Sequence, residues 1–149
     1  MNHVLLAYSG GLDTSVAIPL IREKNGASVS TLTVDLGQPE DFSATLRKAR
    51  AIGAERTLLA DLREEFAHDF VFPALRANAV YEGAYPLATA LARPLIARQL
   101  AESARAIGAD TVAHGCTGKG NDQVRFEASL AALAPELGVA APIRDLKLS

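Results

Sequence analysis

A short polar segment near the amino terminus carries the strongest chemical signal in the sequence. It reads Ser9-Gly10-Gly11-Leu12-Asp13-Thr14-Ser15 and follows the apolar residues 4–7. Paired glycines allow a tight turn and a close approach to a ligand, and the first N–H groups of a following helix carry partial positive charge. The hydroxyls of Ser9, Thr14 and Ser15 add further donors. This composition favours a polyphosphate ligand, and a purely structural Gly-Gly turn is the alternative.

A second glycine-rich segment has the same setting, between a predicted strand and a predicted helix. It reads His114-Gly115-Cys116-Thr117-Gly118-Lys119-Gly120-Asn121-Asp122-Gln123-Val124-Arg125. Ligands of open parallel sheets bind beyond the carboxyl ends of the strands. If the strand order is 3-2-1-4-5, strands one and four are neighbours and both segments face one crevice. Asn121, Asp122 and Arg125 would then project into it, and Lys119 would contact an anion.

Neither segment matches the two most familiar phosphate-binding fingerprints. Gly118-Lys119 is followed by Gly120, where the P-loop of kinases and ATPases has serine or threonine. Gln123 stands where a dinucleotide-binding loop has its third glycine. The sequence therefore disfavours both classes.

Isolated histidines and the single cysteine give weaker signals. His114 either contacts a phosphate or ribose or is structural. Cys116 is interpreted as a small filler beside the glycine turn, because no partner base for a nucleophile is identifiable. His3 and His68 lack the spacing of a zinc site, so no metal ligand is assigned.

Short apolar runs alternate with longer segments of helical periodicity, which is the pattern of repeated βαβ units. Strands are predicted at residues 4–7, 29–34, 57–60, 111–114 and 139–141, and helices at residues 12–23, 41–52 and 121–133. A further helix begins in capping-box spacing at Asp61 and Glu64 and bends or ends at Pro73. Another has Pro94 in its first turn and runs to residue 107, after an irregular loop at 78–89. The predicted fold class is α/β, a five-stranded parallel Rossmann-like sheet with helices on both faces.

Composition limits the remaining possibilities. The 149 residues are 49% hydrophobic, carry a net charge of −2 and contain one cysteine. These values predict a single domain over residues 1–149, no intrachain disulfide and no electrostatic footprint for nucleic acid or a membrane surface. The sequence has no secretory signal and no apolar run of membrane-spanning length, so we expect a cytoplasmic protein.

The first glycine segment resembles the signature loop of the N-type ATP pyrophosphatases, which cleave ATP between the α- and β-phosphates. Further segments narrow the resemblance to the argininosuccinate synthase family. They are Asp35-Leu36-Gly37-Gln38, Asp61-Leu62-Arg63-Glu64-Glu65-Phe66, Tyr85-Pro86-Leu87, Leu91-Ala92-Arg93-Pro94 and Gly118-Lys119-Gly120-Asn121-Asp122-Gln123-Val124-Arg125-Phe126-Glu127. The resemblance covers nearly the whole chain and implies an adenine nucleotide alpha hydrolase-like fold. It also implies that the family's carboxy-terminal synthetase and oligomerisation domain is absent.

The resemblance implies a ligase that joins citrulline and aspartate, with ATP and Mg²⁺ as cofactors. Its implied ATP-binding residues are Ala7, Tyr8, Ser9, Gly10, Gly11, Leu12, Asp13, Thr14, Ser15, Val34 and Gly115. Those implied for citrulline are Tyr85, Thr89, Ala90, Asn121 and Arg125, and those for aspartate are Thr117, Asn121 and Asp122. No catalytic base or metal ligand is assigned. The sequence departs from the family pattern at Ala88, Ala90, Cys116 and Ile143.

Three functional alternatives remain at this point. The chain is interpreted first as the ATP-binding domain of a ligase whose complete form is a homotetramer, and this domain alone is expected to bind ATP without turnover. A freestanding nucleotide-binding module with a regulatory or partner-dependent role is the second. Another member of the superfamily, such as a tRNA-modifying or amide-forming enzyme, is the third, and residues 118–127 argue against it.

Overall fold

The computed structural model of the protein describes residues 1–118 and 120–145. Within these residues, five strands form one sheet in the order β3-β2-β1-β4-β5, and every neighbouring pair is parallel. The strands are β1 (His3–Ala7), β2 (Ser28–Asp35), β3 (Thr57–Asp61), β4 (Thr111–Ala113) and β5 (Gly138–Ala140). The predicted fold class and strand order are confirmed.

Helices connect the strands and cover both faces of the sheet. They are α1 (Leu12–Asn25), α2 (Phe42–Ile52), α3 (Arg63–Glu65), α4 (Phe72–Arg76), α5 (Ala88–Ile107), α6 (Asn121–Leu133) and α7 (Pro142–Asp145). Alternate side chains of the central strand enter two separate cores. Leu6 belongs to the core that contains Ile18 of α1, and Leu5 to the core that contains Leu100 of α5 and Leu130 of α6. This alternation follows from the period of two along a strand.

The start of α5 differs from the prediction. The helix begins at Ala88, so Pro94 lies inside it and the preceding loop ends at Leu87. Alanine is a strong helix former, and Ala88, Ala90 and Ala92 extend the helix upstream. The proline removes one backbone donor without ending the helix. Burial of residues on both sides of Pro94 compensates for this loss.

The segment after β3 also differs from the prediction. Asp61 is the last residue of β3, and the N-cap of α3 is Leu62, so the predicted cap and capping box are wrong. The Asp61 carboxylate instead accepts hydrogen bonds from the backbone and side chain of Arg63. A π-helical segment, Phe66–Val71, follows α3 and runs directly into α4. Pro73 is therefore near the start of α4, which continues past it.

Smaller differences concern the ends of the other elements. Strand and helix ends elsewhere lie within one or two residues of the predicted positions. His114 falls outside β4, although its N–H still donates to the carbonyl of Ala140 at 3.1 Å. Across the described residues, no helix combines the length and apolar character that crossing a bilayer requires.

We predict that Leu100→Ala destabilises the fold strongly. Leu100 is fully buried between α5 and the sheet. Replacement of a buried leucine by alanine lowers the free energy of unfolding by about 2–5 kcal/mol, because apolar contacts are lost and a cavity remains. Urea unfolding followed by circular dichroism measures the difference. The matched control is Leu75→Ala, since Leu75 is 66% exposed. Equal losses in the two variants would contradict this assignment of the core.

Candidate functional site

A cleft of about 1200 Å³ opens at the carboxyl ends of β1, β2 and β4. Both glycine segments line it, together with the first turns of α5 and α6. β1 and β4 are paired neighbours in the sheet, so the loops that follow them emerge side by side. This is the position where open α/β sheets bind ligands.

The first glycine segment forms the turn from β1 into α1. Gly10 has a φ of +75°, a conformation that glycine adopts without strain, and Gly11 is the N-cap of α1. The hydroxyl oxygens of Ser9 and Thr14 lie 3.2 Å apart and share a hydrogen bond across the turn. Gly11 has no side chain that could cap the helix, so the first N–H groups of α1 are available to an anion.

A buried hydroxyl network fixes the base of this turn. The hydroxyl groups of Tyr8 and Ser15 lie 3.0 Å apart and are buried, and the Thr33 hydroxyl donates to the Tyr8 carbonyl at 3.0 Å. These bonds join β1, α1 and β2. Ser15 therefore faces the protein interior, where it supports the turn.

The second glycine segment packs directly against the first. A Cβ atom at Gly115 would lie 2.7 Å from Cγ2 of Thr14. Real Cβ atoms do not approach another heavy atom this closely, so position 115 accommodates only glycine unless Thr14 moves. The two loops are thus parts of one packed unit.

An acid held between two arginines stands at the start of α6. Asp122 Oδ2 accepts from Arg93 Nε at 3.0 Å, and its Oδ1 accepts from Arg125 Nη1 at 3.1 Å. The Arg93 guanidinium also lies over the Phe126 ring, 5.7 Å from its centroid. Burial raises the pKa of Asp122, but the two guanidinium groups outweigh it and hold that pKa below its ordinary value. The cluster has two positive charges and one negative charge.

Tyr85 connects a small hairpin to the start of α5. Its hydroxyl oxygen lies 2.9 Å from the Thr89 hydroxyl and accepts from the Thr89 N–H at 3.1 Å. These hydrogen bonds lower the pKa of Tyr85. The backbones of Tyr85 and Tyr81 pair as an antiparallel bridge, and Leu87 follows in a left-handed conformation with a φ of +59°. The hairpin and the helix start therefore form one wall of the cleft.

His114 forms part of the cleft floor and is 1% exposed. Its ring stacks on Phe126 at 5.4 Å between centroids, and Nδ1 accepts from the Cys116 N–H at 3.3 Å. Nδ1 is therefore unprotonated, and Nε2 carries the proton and faces Glu127 at 3.7 Å, beyond hydrogen-bond distance. Burial lowers the pKa of His114 in spite of that carboxylate. Burial also raises the pKa of Cys116, which keeps this residue a thiol.

The structure brings most of the predicted site residues together. The cleft is lined by Ala7, Tyr8, Ser9, Gly11, Leu12, Asp13, Thr14, Val34, Tyr85, Thr89, Gly115, Thr117, Asn121, Asp122 and Arg125. Gly10, Ser15 and Ala90 are not among its lining residues. The prediction for Lys119 lies outside the described residues.

Arg93 belongs to a segment that carries the family resemblance, but it is absent from the site residues predicted from the sequence. Arg93 lines the cleft and binds Asp122 with both Nε and Nη2. The available signal was an arginine placed among the apolar residues Ala92, Pro94 and Leu95. In the part of the chain that the structure covers, no group of three or more histidine, cysteine, aspartate or glutamate side chains could hold a metal ion.

Comparisons with known proteins agree with this architecture. The family profile described as "Arginosuccinate synthase N-terminal HUP domain" matches residues 3–149. The chain is 59% identical over 147 residues to argininosuccinate synthase of Gloeobacter violaceus and 57% identical over 149 residues to that of Parasynechococcus marenigrum. These matches cover 98% and 99% of the chain, and the chain spans 37% of the length of each relative.

Solved structures show the same fold at low sequence identity. A predicted subunit of tRNA methyltransferase from Methanocaldococcus jannaschii matches with a TM-score of 0.67 and 15% identity, covering 97% of this chain and 69% of that one. The NH3-dependent NAD synthetase of Campylobacter jejuni matches with a TM-score of 0.55 and 15% identity, covering 77% and 47%. These likenesses concern the fold alone.

The parallel sheet and the cleft at its carboxyl edge define a Rossmann-like α/β domain of the HUP type. Because the family profile matches residues 3–149, it also identifies the family to which the chain belongs. The chain belongs to the argininosuccinate synthase family and corresponds to the N-terminal HUP domain of that family.

We predict that Gly115→Ala destabilises the chain by about 1–3 kcal/mol, because the new methyl group overlaps Thr14. Adding Thr14→Ser removes Cγ2 while keeping the hydroxyl, and should recover most of the loss. Gly120→Ala is the control, since the nearest atom to its Cβ would lie at 4.0 Å. Chemical unfolding of Gly115→Ala, Thr14→Ser, the double variant and Gly120→Ala measures the effect. Additive losses in the double variant would contradict the proposed contact.

We predict that His114 makes the fold less stable in acid. Its pKa is lowered in the folded chain, so the unfolded chain binds more protons once the pH falls below about 6.5. The contribution of His114 to the free energy of unfolding is therefore complete above that pH. It is lost as the pH falls towards the pKa of His114 in the folded chain.

Urea unfolding between pH 8 and pH 5 tests this linkage. Glu127, Arg144 and Asp145 surround the ring and also contribute to its pKa. His114→Gln should lose less stability on acidification than the wild type, whereas the exposed-site control His68→Gln should retain the wild-type slope. An unchanged slope in His114→Gln would refute the assignment.

Proposed function

We propose that this chain is the ATP-binding domain of an argininosuccinate synthase, spanning residues 1–149. The complete enzyme would join citrulline and aspartate to give argininosuccinate, AMP and pyrophosphate. One observation carries the proposal: both glycine segments and the open start of α1 line a single cleft of about 1200 Å³. Membership in the family and the acid–arginine cluster in the same cleft support it.

The ATP triphosphate would lie on the turn between β1 and α1. The N–H groups at the start of α1 and the hydroxyls of Ser9 and Thr14 would bind its phosphate oxygens. Val34 and Gly115, both lining the cleft, would contact the adenosine portion. Gly10 and Ser15 would act by shaping the turn, because they lie outside the cleft surface.

Magnesium would enter with the nucleotide. Mg²⁺ is commonly held by substrate phosphates plus one or two carboxylates, and it neutralises charge on the phosphate oxygens. Asp13 lines the cleft in the first turn of α1 and provides one such carboxylate. The donor set of the cleft thus fits a phosphate-bound ion better than a cage formed by protein side chains.

The two amino acid substrates would occupy the far end of the cleft. The proposed citrulline residues are Tyr85, Thr89, Ala90, Asn121 and Arg125, and the proposed aspartate residues are Thr117, Asn121 and Asp122. Arg93 and Arg125 leave one net positive charge beside Asp122. That charge suits the α-carboxylate of an amino acid. Ala90 does not line the cleft, so its contribution would be the shape of α5.

The proposed reaction has two displacement steps. The ureido oxygen of citrulline attacks the α-phosphate of ATP and pyrophosphate leaves. The amine of aspartate then attacks the activated carbon and AMP leaves. This chain would contribute position and charge: N–H groups and hydroxyls face the departing pyrophosphate, and the arginines orient the amino acids.

The remaining part of the complete enzyme would supply what this chain lacks. The chain spans 37% of the length of its relatives, and we propose that alone it binds MgATP without turnover. We further propose that the complete protein is a cytoplasmic homotetramer acting on these small molecules, with no nucleic acid or membrane partner.

We predict that Leu12→Glu abolishes most MgATP binding without unfolding the chain. Leu12 is 77% exposed, begins α1 and lines the cleft. A carboxylate there is compatible with the helix N-terminus but repels phosphate, so the Kd for MgATP should rise about tenfold or more. Calorimetry gives the Kd, and circular dichroism verifies the fold. Leu75→Glu, at an exposed site away from this cleft, is the matched control. Failure of the wild type to bind MgATP would refute the proposed function.

We predict no AMP release from the purified 149-residue chain when citrulline and aspartate are added with MgATP. Chromatographic detection of AMP is the assay. Adding the remaining segment of a close relative should restore citrulline- and aspartate-dependent AMP release. Release by the chain alone would overturn the claim of inactivity. Binding that no added segment converts to turnover would favour the freestanding nucleotide-binding module.

A further inference from the structure

The peptide group between Gly10 and Gly11 is the part of the phosphate-facing turn that side-chain sterics restrict least. Both flanking residues are glycines, and Gly10 has a φ of +75°. The described peptide bonds are trans, so the carbonyl of Gly10 and the N–H of Gly11 point in opposite directions. The direction of the Gly10 carbonyl therefore decides whether the Gly11 N–H faces the cleft.

Lys48 of α2 holds that carbonyl. Its Nζ donates to the Gly10 oxygen at 2.6 Å, across 38 positions of sequence. A hydrogen bond from an ammonium group is stronger than one between neutral groups. Gly11 lines the cleft and Gly10 does not, which agrees with a carbonyl turned toward α2.

The same helix supports the turn at a second point. Thr45, one turn before Lys48, is buried, and its Cγ2 and Oγ1 lie 3.2 Å from where a Cβ of Gly10 would be. Its hydroxyl donates to Glu40 Oε1 at 2.8 Å, which fixes its orientation. α2 therefore places the Lys48 ammonium and a rigid threonine against one glycine.

We propose that Lys48 is a positioning residue for phosphate binding, and this inference rests on the proposed function. By holding the Gly10 carbonyl against α2, it directs the Gly11 N–H toward the phosphate chain. The Gly11 N–H has only a long hydrogen bond within the turn, to Ser9 Oγ at 3.4 Å, so a phosphate oxygen can replace it. A reversed peptide would instead present a carbonyl oxygen to the phosphates.

The first glycine segment differs from a P-loop because it contains no lysine. P-loop proteins carry a phosphate-binding lysine directly after their glycines. In this chain a cation from another helix, Lys48, contacts the backbone of the turn. Lys48 thus contributes positive charge behind the loop and fixes its conformation.

The experiment compares Lys48→Met, Lys48→Arg and the control Arg47→Met. Arg47 is the adjacent exposed cation on α2, so its variant carries the same change in charge. In ligand-free chain, the ¹⁵N–¹H resonance of Gly11 should move in Lys48→Met, stay in Arg47→Met and return toward its wild-type position in Lys48→Arg. Circular dichroism verifies that every variant is folded.

Comparing the Kd of MgATP with the Kd of adenosine distinguishes a role of Lys48 at the phosphates from a general loss of structure. Lys48→Met should raise the Kd of MgATP about five- to tenfold and leave the Kd of adenosine within about twofold of wild type. Equal weakening of both ligands, or the same loss in Arg47→Met, would overturn the inference. An unmoved Gly11 resonance in Lys48→Met would overturn it as well. If the wild type binds no MgATP, the proposed function fails, and the ligand-free resonance still decides whether Lys48 orients the peptide.

Discussion

The parallel pairing of β1 with β4 is the constraint on which the site depends. These neighbouring strands bring two glycine segments, more than a hundred residues apart, to the same edge of the sheet. β1 is fully buried from Val4 to Leu6, so its end cannot shift without disturbing both cores. The position of the cleft is therefore a consequence of the hydrophobic packing of the sheet.

Much of this architecture could be predicted from the sequence. The β-branched and leucine-rich runs predicted the strands, and the amphipathic segments between them predicted the helices. The two glycine segments predicted the position of the cleft. Local signals conflict at the start of α5, because Pro94 suits a first turn while the alanines before it favour helix. The packing of the buried residues Ala92 and Leu95, which holds the helix continuous through Pro94, is a tertiary effect. The Asp61 cap failed for a similar reason, since β3 pairing extends through that residue.

Within the site, long-range contacts were the least predictable. Arg93 lies in α5 and Lys48 in α2. The hydrophobic periodicity of these helices predicts only which side chains are exposed and which are buried, and nothing nearby in the sequence indicates the partners of these two residues. Asp122 and the Gly10 carbonyl reach them only after the chain has folded. The residues that were predicted, such as Ser9 and Gly11, belong to segments whose chemistry is local.

The contact between Gly115 and Thr14 has an evolutionary consequence. Because the two loops occupy a single packing volume, a mutation in either one changes which residues the other tolerates. Across homologues, substitutions at positions 14 and 115 should therefore be correlated. A residue larger than glycine at position 115 should occur together with a residue smaller than threonine at position 14. Such paired changes would let the two loops change sequence while their joint shape is inherited.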